Sequence, residues 1–437
     1  MKRLFFGGVH PADKKEMSAS VELKMTKEPK QVTIPMSQHI GVPCEPLVAV
    51  GDTVKKGQKI GDGKGLCVPV HASVSGKVVA IENRRHVNGE DELCVVIEND
   101  YKDTEDTSMT AYKDYSNLSN DQIIEIIREA GIVGMGGATF ATNVKAATSM
   151  EKVKTLIANA CECEPYITSD DMLLRMYPER VLEGMRIICQ VLHPERAVLA
   201  IEDNKKEAIA ALKKELENEK RIELVVLPTR YPQGAEKQLV QAVTGCEIPG
   251  GELPKSVGAA VFNVATFAYT YGAVCLGRPV TRRMVTISGE AVNNPGNYWF
   301  RIGTSFEYAI EQAGGLKDNV WKVIAGGPMM GLAQPDLSAC TIKGTSSILC
   351  LSEEQNGEAK EENPCIRCGA CAKVCPMNLQ PLYLHAYGKK KNVNELKRLN
   401  VMDCIECGCC SYTCPAKIHL VETIREGKAY VKEEMES

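Results

Sequence analysis

Cys365, Cys368, Cys371 and Cys375 precede Pro376, and Cys404, Cys407, Cys410 and Cys414 precede Pro415. Two-residue gaps let a tight loop point three thiolates into one small volume. A fourth cysteine, at the start of the segment that leaves, reaches a neighbouring volume. This spacing suits two cubane [4Fe–4S] clusters with interleaved ligands. One cluster would take Cys365, Cys368, Cys371 and Cys414, and the other Cys404, Cys407, Cys410 and Cys375. Structural zinc would instead use paired Cys-x-x-Cys units set further apart. Each proline turns the chain away from its cluster. Cys409 falls outside the spacing and is not expected to be a ligand. Two clusters this close would pass electrons one at a time.

A second set of residues could hold an anion. Gly134, Gly136 and Gly137 lie in a bare loop that runs to Phe140, with Lys145 just beyond. A dinucleotide fingerprint of the Rossmann type needs a strand before the loop. A helical pattern over residues 123–130 precedes it here, so that reading fails. What remains is unobstructed backbone leading into a helix over 141–149, a place where N–H groups bind phosphate well. Asn159, Glu162 and Glu164 follow a strand expected over 153–158, at the end where ligands sit in open α/β sheets. Tyr231, Gly234 and Glu236 follow another strand in the same way.

The rest of the chain must position these groups. Its 437 residues are enough for three or four domains, and 44% hydrophobic residues provide their cores. A net charge of -4, with aromatics at 5%, argues against nucleic acid as a partner. Nineteen cysteines without a secretion signal in residues 1–9 suggest metal binding rather than disulfides. Residues 257–277 are uncharged and long enough to span a bilayer. Their Asn263, glycines, threonines and tyrosines favour a buried helix preceded by a loop. The chain itself is therefore expected to be soluble and to meet a membrane through a partner.

Residues 1–100 read as an all-β sandwich with strands at 31–34, 47–50 and 77–82. The segments 50–58 and 70–78 resemble biotinyl- and lipoyl-type carrier domains. Where a carrier presents its modified lysine, Gly63-Lys64-Gly65-Leu66-Cys67 stands instead, so lipoyl chemistry is not expected. After a polar linker, residues 120–280 read as an α/β domain, with strands at 197–201 and 222–227 flanking a helix at 205–218. Residues 283–345 suit a module resembling the soluble ligand-binding β-grasp domains: strand 284–288, helix 305–313, strand 320–325. An acidic linker at 352–363 leads to a ferredoxin-like domain at 364–430. The expected fold class is thus multidomain α/β, with a β-sandwich in front and two clusters at the back.

Taken in order, these motifs resemble a known family. The glycine loop with Phe140 and Lys145, then Asn159-Ala160-x-Glu162-x-Glu164-Pro165, then Tyr231-x-x-Gly234-x-Glu236, then Asn263-Val264-x-Thr266, are similar to the flavin- and NADH-binding subunit of respiratory complex I. Adding Gly7-Gly8-Val9-His10-Pro11, Gln38-His39-Ile40-Gly41 and Val70-His71-Ala72 in front, and two cysteine runs behind, the whole chain resembles the RnfC family, the C subunits of Rnf complexes. That resemblance implies FMN in the α/β domain and NAD(H) as substrate beside it. Gly134, Gly136 and Gly137 would approach the flavin, with Lys145 near its phosphate or ribityl. Asn159, Glu162, Tyr231, Gly234, Asn263 and Thr266 would line its pocket. Phe140 would face adenine, and Glu164 and Glu236 the dinucleotide. Met135, Cys161 and Ala235 depart from the complex I pattern, which has arginine, aspartate and glutamate there.

The resemblance also implies partners: the other subunits of an Rnf-type ion-translocating ferredoxin–NAD oxidoreductase, including an iron–sulfur subunit. The chain would sit peripherally at the cytoplasmic face of a bacterial membrane. Two other functions fit the same parts. One is a soluble reductase of the cobalamin reductase type, and the other a non-enzymatic iron–sulfur relay with a decayed flavin site.

Overall fold

The computed structural model describes residues 5–150, 152–356 and 361–436. Part of the expected linker at 352–363, and residues 1–4 of the segment searched for a secretion signal, lie outside them.

The α/β domain is built on four parallel strands in the order Ile222–Leu227, Arg196–Glu202, Thr155–Ala160, Ala259–Asn263. The inner strands are nearly continuous apolar runs, buried on both faces as a parallel sheet requires. Helices Pro178–Leu192 and Val264–Leu276 cover one face and pack closely on each other. Residues 257–277 therefore differ from the expected loop and helix. The apolar run Ala259–Asn263 is a strand paired to Thr155–Ala160, and the helix starts only at Val264. A short apolar run has no period that separates strand from helix. Among the described residues, no helix is long and apolar enough to cross a membrane.

The N-terminal sandwich has two small sheets, one of four strands and one of three. Its longest hairpin joins Gly76–Arg85 to Asp91–Asn99. The strand expected at 47–50 does not form. Asp52 Oδ2 instead accepts the Ala49 N–H at 2.8 Å and folds the segment into a turn, leaving Leu47 and Val50 exposed. His39, Cys44 and Cys67 meet in this core, where each ring nitrogen of His39 already has a backbone partner, Ile40 O and Val68 N.

The third module is a six-stranded sheet around helix Phe306–Gln312. One of its edge strands, Lys24–Met25, comes from the start of the chain and pairs in parallel with Gly296–Arg301. The start of the chain thus crosses three units. Val9 bridges to Tyr231, and Gly8 N–H donates to Val374 O at 2.8 Å. Lys15 Nζ, fully buried, donates to the carbonyls of Glu162, Glu164 and Ile167. Burial, and then the neighbouring Lys205, lowers its ammonium pKa to about 8.

Candidate functional site

The four parallel strands deliver their carboxyl ends to one edge, the usual place for a ligand. Asn159 and Asn263 are register partners on adjacent strands there. Asn159 Nδ2 donates to Gly234 O at 2.8 Å, and its Oδ1 accepts from Cys161 N at 3.0 Å. Gly234 must be glycine, because a Cβ would overlap the Cys161 carbonyl oxygen. Asn263 caps its own helix through Ala265 N, and its Nδ2 donates to Asp170 at 2.6 Å.

The glycine loop closes on itself through Gly134 N to Phe140 O, 2.8 Å. Its inner wall is fixed by Thr266, whose Oγ1 accepts from Met135 N at 3.0 Å. Gly136, Gly137 and Ala138 are exposed, and Gly137 has φ +134° with open space where a side chain would stand. The following helix, Thr142–Ser149, has no side-chain cap; Thr142 N–H is taken by the Ile132 carbonyl at 3.3 Å, which leaves the Asn143 and Val144 N–H groups of its first turn to meet an anion. Lys145, in its first turn, is half-buried and pairs with Glu236 at 2.6 Å. Bare donors, an uncapped helix start and a lysine are a donor set that fits a flavin phosphate.

Glu162 and Glu164 have their carboxylates committed inward. Glu162 Oε1 accepts the Asp170 N–H at 2.8 Å and anchors the start of helix Ser169–Met176. Glu164 accepts from Met329 N at 3.1 Å and Met330 N at 2.9 Å, which holds a turn of the third module. Burial pushes its carboxyl up to about 7. Asp170 and Arg283 are site residues that no sequence motif marks. Burial, and then Glu162, push Asp170 upwards. Arg283, from the third module, donates to Met135 O at 2.9 Å and so fixes the glycine loop from outside. No spacing links it to that loop.

The eight cysteines gather into two cavities. Cys365, Cys368, Cys371 and Cys414 line one, with Leu382 and Ile418. Cys375, Cys404, Cys407 and Cys410 line the other, with Leu379, Leu384 and Ile424. The first cavity offers four sulfurs and the second five, since Cys409 also lines it, each in an apolar shell that suits a cubane. The second cavity also backs onto the α/β domain. Tyr231 is buried, and its hydroxyl donates to Cys407 O at 2.7 Å. Val9, Cys163, Met329 and Cys409 pack around that contact. Gln238 Nε2 donates to Pro376 O at 3.1 Å on the other side.

Comparison with known proteins gives the same order of parts. The RnfC barrel sandwich hybrid domain matches residues 3–102 and the Nuo51 FMN-binding domain residues 127–271. The SLBB domain matches 284–333 and the 4Fe-4S dicluster domain 364–418. The C subunit of the Na(+)-translocating ferredoxin:NAD(+) oxidoreductase complex of Acetobacterium woodii is 46% identical over 97% of this chain and 96% of its own length. The C subunit of the proton-translocating ferredoxin:NAD(+) oxidoreductase complex of Clostridium ljungdahlii is 46% identical over 99% of this chain and 94% of its own length. The C subunit of the ion-translocating oxidoreductase complex of Edwardsiella ictaluri is 41% identical over 98% of this chain, which spans 54% of that longer protein. Among solved structures, an NAD+-reducing [NiFe]-hydrogenase in the H2-reduced state shares the fold. Its TM-score is 0.50 at 19% identity, over 74% of this chain and 65% of that one.

Proposed function

The chain belongs to the RnfC family, the C subunits of ion-translocating oxidoreductase complexes, and from that premise we propose how its own residues carry electrons between NAD(H) and a partner subunit. FMN, when bound, accepts hydride and releases electrons singly, which joins a two-electron donor to one-electron clusters.

The bare loop Gly134–Gly137, the helix start and Lys145 hold the flavin phosphate side. Asn159, Asn263, Gly234, Tyr231 and Thr266 form the wall behind the ring system. Glu162 supports that wall through the helix it anchors. Phe140, Glu164 and Glu236 lie towards the dinucleotide, with Glu164 acting through the turn it holds. No side chain is required as acid or base. The protein's work is to hold two flat rings together and exclude water.

The single observation that carries this reading is the Tyr231–Cys407 contact. One residue of the flavin-type motif is hydrogen-bonded to a cysteine loop, so the second cavity is the first stop for electrons from the α/β domain. Cys404, Cys407, Cys410 and Cys375 would hold that cluster. Cys365, Cys368, Cys371 and Cys414 would hold the outer one, where Cys365, Ile366 and Cys368 are exposed. That face would exchange electrons with the iron–sulfur partner, and the chain would lie at the cytoplasmic face of the membrane. Likeness over nearly the full length to subunits of translocating complexes favours this over a soluble reductase.

The test is anaerobic purification, an FMN assay and iron count, and stopped-flow reduction with NADH. Flavin bleaching followed by loss of cluster absorbance is expected. Iron for two cubanes with no flavin, even after FMN is added, would leave only an iron–sulfur relay.

A further inference from the structure

Thr139, in the outer part of the glycine loop, has a left-handed backbone, φ +47°. A threonine holds that conformation only where its surroundings fix it. Two other units do so here. Ile40 N–H, from the N-terminal sandwich, donates to Thr139 O at 3.4 Å. Gly344, from the third module, lies so close to the Thr139 side chain that a Cβ on it would overlap the threonine methyl. The two outer units are pinned to each other at the same point, where Lys343 N–H donates to Gln38 Oε1 at 3.1 Å and Lys343 Nζ to Pro69 O at 2.7 Å.

The sandwich loop that reaches Thr139 is apolar at its surface. Ile40 is 52% exposed and Val42 53% exposed. Val42 N–H donates to Leu66 O at 2.9 Å, which ties this loop to the neighbouring hairpin. The loop is tightly packed where it approaches: Gly41 has φ +134°, and a Cβ there would overlap Leu66 O. Next to Thr139 stands Phe140, half-buried, and next to that the open backbone of Gly136, Gly137 and Ala138. The inner end of the glycine loop is different. There Gly136 meets Asn263, the flavin end of the site. The outer end therefore has Phe140 next to Thr139 and, across the Ile40–Thr139 hydrogen bond, a loop of another domain that carries two exposed branched residues.

We propose that the loop from Gln38 to Val42 is the outer wall of the dinucleotide site, with Ile40 and Val42 taking one face of the adenine of NAD(H) opposite Phe140. This rests on the reading of the site as flavin plus NAD(H). It gives the N-terminal sandwich a part in substrate binding, across a domain boundary from the glycine loop. An adenine ring loses apolar surface to water unless both faces are covered, and Phe140 alone covers one. Ile40 and Val42 are specificity-determining residues in this scheme, since they would touch only the non-reacting half of the substrate.

The test uses the full chain loaded with FMN and clusters, and the double variant Ile40→Ser/Val42→Ser. Both side chains are exposed, so the fold is retained. Leu47→Ser/Val50→Ser, equally exposed in the same sandwich, is the control. The expected result is a KM for NADH raised about tenfold with kcat within about twofold and unchanged FMN content, because the lost contact is made equally before and during hydride transfer. Calorimetric affinity for ADP-ribose, measured without turnover, should fall by the same factor. Reduced nicotinamide mononucleotide, which lacks adenine, should be used equally by the variant and the parent. An unchanged KM and ADP-ribose affinity overturns the proposal, as does an equal loss with the mononucleotide or in the control pair. A parent protein that fails to oxidise NADH at all would overturn the underlying reading instead, so the two failures are distinguishable.

Discussion

Arg367 and Glu406 occupy equivalent places in the two cysteine loops, both with left-handed backbone at φ 53° and 55°. Gly369 and Gly408 follow at φ 72° and 80°, and Asn378 and Lys417 at 54° and 55°. In each loop the left-handed residue donates its N–H to the first cysteine sulfur, at 3.4 Å. The backbone is thus nearly duplicated, while the surroundings are not. Cys365 and Cys368 are exposed, whereas Cys407 and Cys410 are buried. Gly408 lies against the Met329 carbonyl oxygen, while Gly369 has nothing within 4 Å of where a Cβ would stand. Burial and hydrogen bonding set cluster potentials. A duplicated loop placed in two environments is therefore a way to make two unlike clusters, one facing the α/β domain and one facing out.

Removing one proposed ligand from each half is the strongest test of that difference. Cys404→Ala should cost about half the iron and lower electron flow from NADH to an external protein acceptor at least ~100-fold, while NADH-dependent dye reduction at the flavin persists. Cys368→Ala should lose a similar share of iron but leave the inner cluster reducible by NADH, read as a residual reduced-cluster signal in electron paramagnetic resonance. If the two variants are indistinguishable, the inner and outer assignment is wrong.

The cysteine runs are legible in the sequence because ligand spacing is a local property. The same holds for Ile222–Leu227 and Val320–Ala325, which form strands over the expected residues. What stays hidden is non-local. Val9 meets Tyr231, and Met25 pairs with Trp299, across more than two hundred residues of sequence. Arg283 reaches Met135 from another module, and Asp170 reaches Asn263 from a helix that carries no motif. The inward commitment of Glu162 and Glu164 is equally invisible. An acidic motif reads the same whether its carboxylates face a ligand or a buried backbone.

Glu164 gives a pH test confined to the inner half. Its carboxyl sits at about 7 in the folded protein, above the ordinary 4.5. The folded chain therefore holds more protons than the unfolded one between those values, so this group's contribution to stability falls as pH rises through that window and is level above it. Glu164→Gln should flatten the slope: the amide keeps only one of the two acceptors that Met329 N and Met330 N use, so the variant is less stable than the parent at pH 5 and the gap narrows towards pH 8. The check is the urea midpoint for loss of cluster absorbance at pH 5, 6, 7 and 8 in anaerobic buffer. Parallel slopes in the two proteins would show that Glu164 does not carry the effect.

The smallest effect should come from Tyr231→Phe. The ring stays in its buried place, so packing with Val9, Cys163 and Met329 is kept. Only the hydroxyl is lost, and with it the donor to Cys407 O. A buried carbonyl left without its partner costs about 1–3 kcal/mol. That cost falls on the seating of the inner loop against the α/β domain, and the outer loop has no part in it. Inner-cluster reduction by NADH should slow by a few-fold, and the inner cluster should be lost at lower urea. FMN content and the outer cluster's reduction by dithionite should match the parent. If both clusters respond alike, the Tyr231 contact is a general structural bond, and the two halves are coupled through the ferredoxin-like domain rather than separately attached.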